Sequence, residues 1–132
     1  MEPEISTEFH YLYRDAGNFK VFGSVILKGR LDEKARATII NSMDEDGRFV
    51  AEQVGIPPLY EPLHQLTNGP SKADVCTHEF CHFEELPTAS QPMNAVLWGE
   101  SDHLVAAFER VRVWAMKLSP NAEQFGIVAT TR

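Results

Sequence analysis

Residues 75–83 read VCTHEFCHF and bring together both cysteines of the chain and two of its five histidines, the side-chain types that bind zinc. They also spell His78-Glu79-x-x-His82. On a helix the two imidazoles would share a face one turn apart and grip a Zn²⁺ ion, while Glu79 took a proton from a metal-bound water for hydrolysis. On a strand, alternation puts His78 and His82 on one face with Cys76 and Phe80. The two histidines are then about 13 Å apart at roughly 3.3 Å per residue, too far for one ion. A hydrolytic site also needs a third ligand, for which Glu100 and His103 are the nearest downstream candidates. A structural zinc on Cys76, His78, Cys81 or His82 lacks the two separated ligand pairs that such sites draw on.

The backbone decides between these chemistries. Ser71, Lys72, Ala73 and Asp74 resemble a helix start, Val75, Phe80, Phe83 and Leu86 fall at rough helical spacing, and Pro87 would end the helix. Against this, Val, Cys, Thr and Phe crowd the segment, and an N-terminal hairpin needs a partner strand. The strand is favoured, with Cys76 and Cys81 as reduced thiols, because a bridge between them would be strained.

Two weaker patterns remain. Residues 42–49 have the rhythm of a calcium loop, but they begin with Ser42 and place Gln53 where a bidentate Glu is required, so Asp44, Glu45 and Asp46 are read as a solvated turn. Tyr13, Arg14 and Asp15 set a phenol, a cation and an anion at a strand end. There Asp15 is expected to accept backbone N–H bonds with Arg14 covering it. His10, His64 and His103 stand alone in the sequence. No phosphate loop, nucleophile elbow or dinucleotide fingerprint is present.

The elements that must position these residues follow from periodicity. Residues 9–14 and 20–28 are rich in aromatic and β-branched side chains around the turn formers at 15–18, which predicts a β-hairpin with Phe9, Tyr11 and Tyr13 on the core side. Asp32 caps a predicted helix over about 32–43, and a short strand begins at Phe49. Residues 53–70, with four prolines and two glycines, read as a packed loop with one helical turn. Leu104, Phe108, Val111, Ala115 and Leu118 form the stripe of a second helix over about 102–118, stopped by Ser119-Pro120, and a last strand is expected at 125–130. The fold class is α+β: an antiparallel sheet of hairpin, central and C-terminal strands packed by two helices. Residues 1–132 are read as one domain, with any disorder at the ends.

A formal charge of −7 argues against sequence-independent binding of nucleic acid or anionic lipid. The longest apolar runs fall far short of the roughly 18–20 residues that cross a bilayer, and the acidic Met1-Glu2-Pro3-Glu4 start is unlike a secretory signal, so a cytoplasmic location is expected.

The strings YRDAGNFK (13–20), QVGIP (53–57) and HEF (78–80), in that order, resemble a family of small bacterial proteins. The resemblance spans about the first two thirds of the chain and implies a bacterial origin but no chemistry. It includes His78, Glu79 and Phe80 and leaves out His82. The expectation is therefore a small acidic, non-enzymatic protein-interaction domain of the inhibitor, antidote or accessory-subunit type, with no cofactor. A basic protein would meet it at Asp44, Glu45, Asp46, Arg14 and Asp15. The alternative is a zinc-dependent hydrolase with His78 and His82 as ligands and Glu79 as base.

Overall fold

The protein, as a computed structural model describing residues 4–122, has a five-stranded sheet in the order β3-β4-β1-β2-β5. β1 (Ile5–Arg14) and β2 (Lys20–Lys28) form the expected hairpin. Its turn is held by Asp15, whose Oδ1 accepts from the N–H of Gly17 at 2.9 Å and of Phe19 at 3.0 Å. Asn18 takes the left-handed φ of 67° that closes the loop, a conformation its short polar side chain tolerates. Phe9, Tyr11 and Tyr13 are buried as the alternation predicts.

The helix after β2, α1 (Glu33–Ser42), starts where Asp32 Oδ1 accepts from Ala35 N–H at 2.8 Å. Beyond it lie a tight turn, β3 (Arg48–Phe49) and α2 (Ala51–Val54). The proline-rich stretch is more ordered than its composition predicts. Gly55, at φ 76°, ends α2, Pro57 and Pro58 fall in the gap, and α3 (Tyr60–Thr67) follows. Pro62 fits there because it stands in the first turn, where a backbone N–H has no intrahelical acceptor anyway.

β4 (His78–Pro87) is antiparallel to β1, so the extended reading of the Cys/His segment holds from His78 onward, while Val75, Cys76 and Thr77 lie before the strand. β5 (Leu97–Glu100) adds a parallel edge against β2, an element that periodicity missed. The following helix corrects an expectation. α4 spans Ser101–Glu109 and does not run to residue 118. After Arg110 the chain turns back, because Trp114 Nε1 donates to Ser42 O (3.0 Å), Ala115 N–H to Gln53 Oε1 (2.7 Å), and Gln53 Nε2 to Val113 O (3.0 Å). Those distant partners outweigh the local stripe, and only a 3₁₀ turn at Met116–Leu118 remains. The strand expected at 125–130 lies outside the described residues.

The helices lie on the face presented by Phe9, Tyr11, Val25 and Leu27, where Ile39, Phe49, Ile56, Leu104 and Phe108 complete the main core. Phe9 is its centre, with the rings of Tyr11, Phe49, Phe80, Phe83 and Phe108 all within 6.3 Å. Side chains buried this fully contribute roughly 1.5–3 kcal/mol each. Tyr13, Tyr60 and Leu63 form a smaller cluster under α3.

The register of β4 overturns one expectation. His10 pairs with His82, but the next residue of β1, Tyr11, pairs with Phe80, so Cys81 is an extra residue bulged out of the ladder. A bulge breaks the two-residue alternation. Phe80 and Phe83 both reach Phe9 in the core, and His82 is carried to the opposite side of the sheet from His78. The two histidines therefore do not share a face.

Candidate functional site

On the core side, His78 has no exposed surface and lies among the rings of Tyr11, Tyr13, Phe49 and Tyr60, at centroid distances of 5.0–6.1 Å. Its Nε2 accepts the N–H of Leu59 at 2.9 Å, which fixes the lone pair and leaves the proton of the neutral ring on Nδ1. Nδ1 is buried and has no hydrogen-bond partner among the described residues. Burial pushes the imidazole pKa down to about 3, so the ring is neutral throughout the physiological range.

Next to it, Tyr13 donates to Asp74 Oδ1 (2.7 Å) and accepts from Val75 N–H (2.9 Å), and His64 Nε2 lies 2.8 Å from the same carboxylate oxygen. Burial by itself raises the Asp74 pKa. Hydrogen bonds from Ser71 N–H, His64 and Tyr13 outweigh it and hold the carboxyl below its ordinary range. Burial also drives the phenols of Tyr13 and Tyr60 well above their usual pKa. This network joins β1, α3 and the 71–75 loop, and each proton in it already has a structural task.

At the end of the sheet a cleft of about 420 Å³ opens between the last turn of β1, β3 and the 75–77 segment. Arg14, Asp15, Arg48 and Glu79 line it with the apolar surfaces of Ala16, Val75 and Met116, and Cys76 and Thr77 contribute polar edges. The expectation that Arg14 covers Asp15 is not met. Arg14 Nε donates to Glu79 Oε2 at 2.9 Å and a second nitrogen reaches Asn18, so Glu79 is the counter-ion of an arginine and is not free to act as a base. Burial raises the Cys76 thiol pKa, which keeps it protonated and weakly nucleophilic. The turn before Arg48 carries Asp44, Glu45 and Asp46, all exposed as predicted. Asp44 is occupied there: its Oδ1 accepts from the N–H groups of Asp46 (2.9 Å) and Arg48 (2.8 Å), leaving Glu45 and Asp46 to face outward.

On the other face of the sheet, His82 stacks on His10 with centroids 4.3 Å apart and planes 8° from parallel, so His10 is not isolated. His10, His82 and Glu84 each offer a ligand atom within 4.8 Å of the others, the one such group among the described residues. His78, Glu100 and His103 do not belong to it, so the zinc site read from His78-Glu79-x-x-His82 is not assembled. Comparison with protein-family models, curated proteins and solved structures gives no match for this chain.

Proposed function

We propose that this chain is a non-catalytic protein-interaction domain of the inhibitor, antidote or accessory-subunit type that meets its partner at the β1–β3 end of the sheet. The observation that carries this reading is the cleft itself. It is large enough for an anchoring side chain, it has apolar walls, and its charged groups are arranged to hold contacts rather than to move protons. Arg14 is paired with Glu79, and Asp15 is used up by its own turn.

The cleft is nearly balanced in charge, so long-range attraction comes from its surroundings. A formal net charge of −7 and the outward Glu45 and Asp46 favour a basic partner. Arg48, exposed between the acidic turn and the cleft, supplies a guanidinium for a carboxylate or carbonyl on that partner.

The test is site-directed photocrosslinking in the native host with a probe at residue 46, against a control probe at exposed residue 93. One defined partner captured from 46 and not from 93, with association slowed several-fold at low salt by Glu45→Lys and Asp46→Lys, is the expected result. Equal capture from both positions, no capture, or an on-rate indifferent to charge reversal would overturn it.

A further inference from the structure

A square of four side chains lies on the face of the sheet opposite the packed α-helices of the described residues, apart from the cleft. Glu8 and His10 stand two apart on β1, and their cross-strand partners on β4 are Glu84 and His82. Two residues along a strand and one step across, they form a two-by-two lattice whose spacing is set by the backbone ladder and not by side-chain rotamers. We infer that His10, His82 and Glu84, with Glu8 in the fourth position, form a binding site for one divalent transition-metal ion of the zinc type.

Four observations converge on this. The donor set of two imidazoles and two carboxylates suits zinc, and imidazole favours the later transition metals over calcium or magnesium. The donor atoms of His10, His82 and Glu84 already lie within 4.8 Å of one another, and His82 Nε2 is 3.6 Å from Glu84 Oε1. Closing to the about 3.3 Å between donors around a tetrahedral zinc requires the His82 ring to turn out of its stack on His10 so that the two lone pairs converge, and His82 and Glu84 are exposed, with room for that turn. His10 Nε2 is a buried ring nitrogen without a hydrogen-bond partner among the described residues, although Glu8 Oε1 is 3.1 Å away, outside hydrogen-bond geometry. Finally, Ser24 Oγ donates to the other oxygen of Glu8 at 2.6 Å and so orients that carboxylate towards the histidines.

The Cys81 bulge is what makes the site possible. Without it, alternation from His78 would carry His82 to the core side and leave His10 without a partner on this face.

The experiment is calorimetric titration of the tag-free full chain with Zn²⁺ alone, with Co²⁺ absorption as an independent readout of coordination geometry. Saturable binding of one equivalent is expected, together with a visible Co²⁺ spectrum of tetrahedral intensity. His10→Gln and His82→Gln should each weaken binding at least tenfold and abolish that spectrum, whereas His103→Ala leaves both unchanged. Circular dichroism confirms that each variant is folded, and His82→Gln, on an exposed position, keeps the test available if His10→Gln is not. Absence of saturable binding, or binding that survives His82→Gln at full affinity, would overturn the inference.

Discussion

His78 and His82 are four residues apart on one strand, yet they live in opposite worlds. The first has no exposed surface, accepts one backbone N–H and is neutral, while the second is exposed and stacks on a neighbour in solvent. The difference shows that a residue's chemistry is set by which face of the sheet receives it. Here the bulging of one residue, Cys81, out of the ladder decides that face.

Deleting Glu79 is the harshest way to break the contrast. With the bulge kept, the deletion moves His78 to the outer face, and with the bulge lost it turns Phe80 out of the core. Loss of cooperative urea unfolding is expected, and a deletion variant with a near-native transition would show that the alternation of β4 does not hold the fold.

His78→Ala comes next. It leaves Leu59 N–H without its acceptor and opens a cavity among four aromatic rings, for an expected loss of about 3–4 kcal/mol in urea unfolding.

Acid sharpens the same comparison with no mutation. The folded-state pKa of His78 is depressed to about 3 from an ordinary 6.5, so its stabilising contribution is complete above pH 6.5 and is lost as pH falls towards 3. Between pH 7 and pH 5 the native chain should lose about 2 kcal/mol, and the loss should be absent from His78→Ala.

The smallest effect is expected from His82→Ala in metal-free buffer, within about 0.5 kcal/mol of the native chain, as for other exposed positions. A larger cost would mean that the stacked pair itself holds β1 to β4.

Much of the fold was legible where local signals and tertiary contacts agree. The hairpin turn residues, the Asp32 cap and the aromatic alternation of β1 each point to the element observed. Where the two conflict, periodicity misleads. Val111, Ala115 and Leu118 continue the stripe of α4, but Trp114 and Ala115 find their partners on Ser42 and Gln53, some sixty or more positions earlier. The acidic turn and the Asp15 cap were readable for the same local reason, since a carboxylate beside free N–H groups folds back on them. The His10–His82 pair was not readable. Its members are far apart in the chain, and a bulge exists only relative to the strand it faces, so neither residue advertises the other.

The position of β1 in the middle of the sheet also shapes how the chain is made. Its first edge is satisfied by β2 almost at once, but the second waits for β4, with His10 meeting His82 only 72 positions later. During synthesis the hairpin therefore emerges with one backbone edge and three large aromatic rings still bare, a template for wrong pairing until translation has advanced past β4.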